Sequence, residues 1–524
     1  MQYSDFSRLQ PRVFLAALVT MLLTACGGGS TDTSTAQAVI TAAESPTVEP
    51  TADDLTLQQL IDEQDLTGDP SVGRLLPAIT DPLAQLGKQL FFSKSLGGGF
   101  DSACVTCHHP VLGGADGLSL SVGVAATAPD LLGPGRTHLD GVPPIPRNAP
   151  TAFNAGLWDL GMFWDSRVES LTGTPGDNGG DGNIRTPDSL FGVVDPNAGD
   201  NLAAAQARFP VTSAEEMRTE AFENGSSGDV VRAHLAARLG NYGAGAGELL
   251  VNNWLDTFQT AYASAEPAET LITFDNIAAA IGAYERSMVF VANPWRDYVQ
   301  GDLEAISPAA KRGAILFLTP LPDNGAGCSR CHAGDFFSDE RHHAIAFPQI
   351  DPGKGDGANG KHDFGRERET GNPLDRFRFR TPSLLNIAVS APYTHAGAYA
   401  TLDEVIRHYR NPRGAIDNYF AGAAWCGLQQ FAVIPDCATL YPDAETNTRD
   451  ALDTVEDRRL AGGGLLPDIN LSNADIADLV AFLNALTDPC VLDRDCLAPW
   501  IADPTETGPD GQQLNAIDSS GELL

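Results

Sequence analysis

Cys104-Val105-Thr106-Cys107-His108 and Cys328-Ser329-Arg330-Cys331-His332 repeat one spacing, and that spacing decides the fold. Two thiols on one turn can each form a thioether to a porphyrin vinyl group while the adjacent imidazole reaches the iron from the same side. A thioredoxin-like redox pair needs a βαβ setting that the flanks do not offer. A structural zinc site needs four ligands from paired knuckles. Cys104, Cys107, Cys328 and Cys331 are therefore expected to carry two covalently bound c-type haems, with His108 and His332 as proximal iron ligands.

Working outward, the same unit is written twice. Gly87-Lys88-Gln89-Leu90-Phe91-Phe92 precedes the first motif and Arg147-Asn148-Ala149-Pro150-Thr151 follows it. Gly313-Ala314-Ile315-Leu316-Phe317 precedes the second, and Phe379-Arg380-Thr381-Pro382-Ser383-Leu384 follows. The expected fold is mainly α, with two cytochrome c-like haem domains related by internal duplication and joined by long loops. The domains are placed at 56–300 and 301–489. Thr273 can cap a helix whose Ile277, Ile281, Tyr284 and Met288 fall at three- and four-residue steps. Ser472 and Asp475 make a capping-box start before Ile476, Leu479, Val480 and Leu483. Gly-, Pro- and Asp-rich stretches at 168–200, 350–375 and 410–467 read as loops. Residues 490–524 read as a disulfide-closed tail, with 503–524 disordered.

At the start, Arg8 and Arg12, the apolar run Val13 to Leu23, and Leu23-Thr24-Ala25-Cys26 have the layout of an export signal over 1–25. The run is short for a membrane span. Cys26 after Leu-Thr-Ala resembles a bacterial lipobox cysteine, so a lipid anchor in the cell envelope is expected; the alternative is a plain signal with Cys26 free. Residues 26–55, poor in aromatics, read as a flexible tether, with folding expected to start near Leu57. Lys plus Arg number 33 against 68 Asp plus Glu, a net charge of −35. Such a chain repels nucleic acid and steers basic redox partners towards itself. Nine cysteines divide without remainder, leaving Cys426 with Cys437 and Cys490 with Cys496 as short-loop disulfides of an oxidising compartment. Free buried thiols are the alternative.

Over roughly residues 80 to 489 the chain resembles the bacterial di-haem cytochrome c peroxidase family, MauG-type enzymes included. The resemblance is carried by Leu86 to Phe92, Gly113-Gly114-Ala115-Asp116-Gly117, Pro146 to Thr151, Phe163-Trp164-Asp165-Ser166-Arg167, and Ala391-Pro392-Tyr393-Thr394-His395-Ala396-Gly397. It implies that peroxide reacts at the first haem. It also implies that Gln206 and Glu216, in Gln206-Ala207-Arg208-Phe209-Pro210 and Glu215-Glu216-Met217, are the distal amide and acid. Splitting the O–O bond needs a group that moves a proton from the near to the far oxygen, which a carboxyl in a largely apolar pocket can do. The alternative for Glu216 is a solvated charge at a helix end. The resemblance makes Trp164 an electron relay between the haems, where the alternative is core packing. It places one Ca2+ on Asn148, Ser390 and Pro392, with amide and carbonyl oxygens suited to a hard cation.

Two departures from that family matter. Its second haem usually has a methionine opposite the histidine, but after the signal the chain has only Met162, Met217 and Met288, all before Cys328. Tyr409 stands where the methionine would fall, as in the MauG type. An anionic oxygen ligand there would give a low-potential haem. The alternatives are Tyr409 as a packed helix residue, or His408 as the ligand. Second, classical members have a histidine soon after Ser-Val-Gly that fills the first haem's distal site. Here Ser121-Val122-Gly123 is followed by Val124 and an insertion containing His138, which either reaches the iron or lies in a surface loop. Without a histidine the first haem is open. The resemblance thus implies reduction of hydrogen peroxide with electrons from a small cytochrome c or cupredoxin, or oxidative modification of a protein substrate. A pure electron-transfer cytochrome, or an oxygen-activating dioxygenase, are the rivals.

Overall fold

The computed structural model describes residues 49–462 and 469–524, so the signal, Cys26 and most of the tether lie outside the described residues. Ordered chain begins earlier than Leu57. Thr51 caps helix α1 (Ala52–Glu63): its hydroxyl accepts from the Asp54 amide while the Asp54 carboxylate accepts from the Thr51 amide. This reciprocal box satisfies two donors that a helix start otherwise leaves orphaned, a local signal that apolar content does not register.

Helices α2 (Pro82–Phe92), α3 (Leu202–Gln206) and α4 (Phe274–Ser287) belong to the first half. The second half contributes α5 (Pro308–Leu318), α6 (Leu402–Arg410), α7 (Pro412–Phe420), α8 (Ala444–Leu460) and α9 (Asn473–Asn484). The caps at Thr273 and Ser472 form as their sequences predict, and Ile277, Ile281, Tyr284, Met288, Ile476, Leu479 and Leu483 are buried. Strands are few and short: Gly161–Met162 (β1), Val168–Ser170 (β2) and Ile184–Arg185 (β3) form one antiparallel sheet, and His342–His343 (β4) pairs with Phe379–Arg380 (β5).

Two helix crossings organise the halves in the same way. A Cβ on Gly87 of α2 would lie 1.9 Å from the Ala280 carbonyl oxygen and 2.8 Å from Tyr284 Cβ on α4. A Cβ on Gly313 of α5 would lie 2.0 Å from the Asp478 carbonyl oxygen and 2.9 Å from Phe482 Cβ on α9. One turn on, Phe91 packs on Tyr284 with centroids 4.9 Å apart, and Phe317 on Phe482 at 5.2 Å. Only glycine lets the backbones come this close, and the aromatic pairs then fill the angle between the helices.

Two readings are corrected by the structure. The stretch 410–467 is not all loop: α7 and the 17-residue α8 lie in it. The apolar face of α8 is only Ala444, Ala451, Leu452 and Val455, with buried Asn447 and Thr448 between them, too sparse a stripe to show periodicity. Nor is 503–524 disordered. Leu514 and Ala516 are buried in the first core, and the Asp510 carboxylate accepts hydrogen bonds from Ser93, Ser95 and Trp254.

The chain ends exchange halves. Leu57 and Ile61 of α1 pack in the second core, where Asp54 pairs with Lys311 at 2.6 Å, whereas Val491, Leu497 and Ile501 pack in the first. The cores therefore do not follow boundaries at 300 and 489, and Pro50–Leu524 form one compact unit. Replacing Gly87 or Gly313 by Ala forces the crossing apart and should cost about 2 kcal/mol or more. Gly427, where a Cβ would meet nothing within 4 Å, should accept Ala with almost no change in Tm; thermal unfolding of the three variants compares them.

Candidate functional site

Both attachment motifs fold as single tight turns, Cys104–Thr106 and Cys328–Arg330, each with the second cysteine amide donating to the first cysteine carbonyl at 3.2 Å. The imidazole Nδ1 of His108 lies 3.2 Å from the Gly114 carbonyl oxygen and that of His332 lies 3.0 Å from the Phe337 carbonyl oxygen. An Nδ1 that donates fixes the tautomer and leaves Nε2 with its lone pair for a metal. Burial pushes both imidazoles below their ordinary value, which keeps them neutral. Cys328, Cys331 and His332 open on a cavity walled by Phe317, Phe347, Leu402, Ile406 and Leu479. Two thiols, a neutral imidazole and a mostly hydrocarbon wall fit a covalently held porphyrin.

Tyr409 lines that cavity too, and its hydroxyl has no hydrogen-bond partner among the described residues. Its ring stands edge-on to Phe347 at 5.5 Å. Burial, then the nearby Cys331 and Cys328, push the phenol above its ordinary value, so with no cation opposite it stays protonated. His408 is differently placed: Nδ1 pairs with the Tyr399 hydroxyl and Nε2 with the Ile345 carbonyl, both at 2.9 Å. A ring with both nitrogens committed is a poor iron ligand, so the geometry favours Tyr409 over His408.

At the first motif the insertion after Gly123 is organised by Arg136. Its buried guanidinium donates to the carbonyls of Val122 and Gly123 at 2.6 Å and to those of Pro129 and Leu131 at 2.8 and 3.0 Å. This clamp holds Gly123 against the turn Ala214–Arg218, where a Cβ on Gly123 would lie 2.3 Å from the Glu216 carbonyl oxygen. The Ser213 hydroxyl accepts from the Glu216 amide at 3.4 Å and starts the turn. Burial pushes the Glu216 carboxyl above its ordinary value, with Arg167 and Lys354 opposing, and Glu216 acts in turn on Cys107. Glu216 is thus half-buried, with a carboxyl that is desolvated and acts on the first attachment site. Gln206 ends α3 half-buried, its side-chain amide without a hydrogen-bond partner among the described residues. His138 is held by its own loop, Nδ1 accepting from the Asp140 amide at 3.1 Å.

Trp164 joins the two sites. Its indole N–H donates to the Asn148 carbonyl at 2.9 Å, two residues before Pro150, whose carbonyl lies beside His108, while the ring lines the second cavity. Asn148, Ser390 and Pro392 line that cavity together. The Asn148 amide nitrogen donates to the Leu118 carbonyl at 2.8 Å, which leaves Oδ1 without a partner among the described residues. Cys426–Cys437 and Cys490–Cys496 are both disulfides. Sequence reasoning missed the buried ion network between the halves: Arg147 donates to Asp165 at 2.6 Å and to Asp363 at 2.6 and 2.8 Å. Arg147 and Asp165 sit inside quoted segments, but nothing in the spacing marked Asp363 as their partner.

The family model for di-haem cytochrome c peroxidase matches residues 81–304. The methylamine utilization protein MauG of Methylorubrum extorquens is 28% identical over 333 residues, covering 63% of this chain and 69% of that protein. The cytochrome c551 peroxidase of Pseudomonas aeruginosa is 26% identical over 328 residues, covering 63% and 71%. Among solved structures, a MauG-like protein associated with microbial copper homeostasis aligns with a TM-score of 0.50 at 23% identity, over 82% of this chain and 97% of that one, and shares the fold.

The Arg147 network sets a pH dependence. Arg147 is the main partner that holds the Asp363 carboxyl down at about 2 against the cost of burial. Because the folded value is depressed, this stabilisation is complete above the ordinary carboxylate range and is lost as pH falls through about 2. Arg147→Met leaves Asp165 and Asp363 buried without their cation and should cost about 3–5 kcal/mol at neutral pH, with a smaller penalty in acid. Chemical denaturation at both pH values measures it.

Proposed function

Because the chain belongs to the di-haem cytochrome c peroxidase family, and is an oxidoreductase like its relatives, we propose that it reduces hydrogen peroxide at the site of Cys104, Cys107 and His108. Electrons would come from a small redox protein, a cytochrome c or cupredoxin, by way of the second site. The observation that carries this reading is Glu216: a half-buried residue whose carboxyl desolvation pushes above its ordinary value and which acts on Cys107, its backbone held against Gly123 by the Arg136 clamp. The two halves are read as duplicated haem domains, on the strength of the matched crossings at Gly87 and Gly313. Cys26 is read as the lipid anchor that holds the protein in the cell envelope.

When bound, the first haem supplies the iron at which peroxide is held and reduced. Glu216, whose carboxyl desolvation pushes above its ordinary value, would take the proton from one peroxide oxygen and deliver it to the other, which leaves as water. Two electrons and two protons per peroxide give two waters in all. Gln206 orients the peroxide by its amide. Trp164, bonded to Asn148 and lining the other cavity, relays electrons between the sites. Tyr409 and His332, which line one cavity, would be the protein's ligands to the second iron, and Asn148 Oδ1 with the carbonyls of Ser390 and Pro392 would hold Ca2+.

Tyr409 in place of methionine also favours a second reading, MauG-like withdrawal of electrons from a partner protein's own side chains. A pure electron-transfer cytochrome is disfavoured, since it gives the desolvated Glu216 carboxyl no task.

Electron paramagnetic resonance of the holoprotein should show a high-spin ferric centre beside a low-spin one. Peroxide should be consumed when a reduced small cytochrome is added; two low-spin centres that ignore peroxide would overturn the reading. Glu216→Gln should slow peroxide reduction at least tenfold while still binding peroxide, and Tyr409→Phe should change only the low-spin signal. Turnover of a protein substrate without added cytochrome would favour the MauG-like alternative.

A further inference from the structure

The matched helix crossings expose a difference between the sites. Tyr284 covers Gly87 as Phe482 covers Gly313, so Glu285 holds the place in the first half that Leu483 holds in the second. Leu483 lines the cavity of the second attachment site. The first site therefore has a carboxyl where its counterpart has hydrocarbon. Glu285 is 7% exposed, and its Oε2 is buried with no hydrogen-bond partner. It stands near Cys104, whose thiol is pushed up to about 12 by burial first and by Glu285 second.

The charged groups on the elements around α4 are engaged elsewhere. Lys88 of α2 donates to the Pro499 carbonyl and Arg286 to the Leu75 carbonyl. Beyond α3, Arg208 pairs with Asp195. On the helix Gly228–Gly240, Arg232 pairs with Asp188 and Asp229, His234 with Glu223 and Glu248, and Arg238 with Glu248. Beside Glu285 the titratable neighbours are Cys104 and Tyr284, and the Tyr284 hydroxyl is spent on the Trp500 carbonyl at 2.6 Å.

We propose that Glu285 is a proton-binding group coupled to the first haem, taking up one proton from solvent when that haem gains an electron from the redox donor and releasing it when the electron leaves. This rests on the reading of Cys104, Cys107 and His108 as a haem site. One electron goes to the iron and one proton to the carboxylate, so the buried site keeps its charge and no bond other than O–H forms or breaks. Burial alone pushes the Glu285 carboxyl up to about 8. A ferric centre nearby favours the carboxylate and a ferrous one the acid, so the group titrates between the two states. As a positioning residue for charge, Glu285 makes electron transfer to the first site pH-dependent, where the matching position of the second half is the hydrocarbon of Leu483.

The test is a spectroelectrochemical titration of the holoprotein between about pH 5 and pH 9, the span of an acid so shifted. The first haem's midpoint should fall with rising pH, approaching one proton per electron over part of the range. Glu285→Gln, isosteric but unable to titrate, should flatten that dependence and leave the second haem's midpoint unchanged. Redox infrared difference spectra should contain a protonated-carboxyl band that the variant lacks, a readout that mere destabilisation would not produce. A variant with the wild-type slope, or a wild type with neither slope nor band, overturns the proposal. A first motif that carries no haem overturns the earlier reading instead.

Discussion

The distance between two backbones at Gly87 and Gly313 governs the rest of the structure. At each crossing the absent side chain lets a carbonyl of the partner helix approach to where a Cβ would stand. This closeness puts Phe91 on Tyr284 and Phe317 on Phe482. The aromatic pairs then fix where the next helical positions face, and those positions help wall the space next to each attachment turn. A wider crossing would leave the turns at Cys104 and Cys328 without backing, and short helices bury too little surface to compensate.

The parts that the sequence announced are those whose signal is local. Paired Cys-x-x-Cys-His turns, the Thr273 and Ser472 caps and the Gly-to-Phe spacing each need a few consecutive residues, and each folded as read. Tyr409 was legible by position within Thr401 to Tyr409, but choosing it over His408 took the positions of Tyr399 and the Ile345 carbonyl, which occupy the imidazole. The helix α8 was hidden because its buried side includes Asn447 and Thr448, so hydropathy lost the period although the packing did not. The Arg147 network was hidden for another reason: its charges come from 147, 165 and 363, and no local pattern predicts which distant carboxylate will meet a buried guanidinium.

The two sites are built alike and furnished differently. The second has a largely apolar wall with a phenol, and with His343 and Asp363 among its lining. The first is bordered by acids: Asp116, pushed by burial to about 6, as well as Glu216 and Glu285. Desolvated carboxyls are costly, and the matching Leu483 shows that the crossing itself needs only hydrocarbon at the place of Glu285.

The exchanged chain ends bear on how the molecule is assembled. Residues 491–516 complete the core around Phe91 and Trp254, while α1 belongs to the other core with α5. Neither half can close on its own sequence, so folding is delayed until most of the chain is present, the behaviour of a high-contact-order topology.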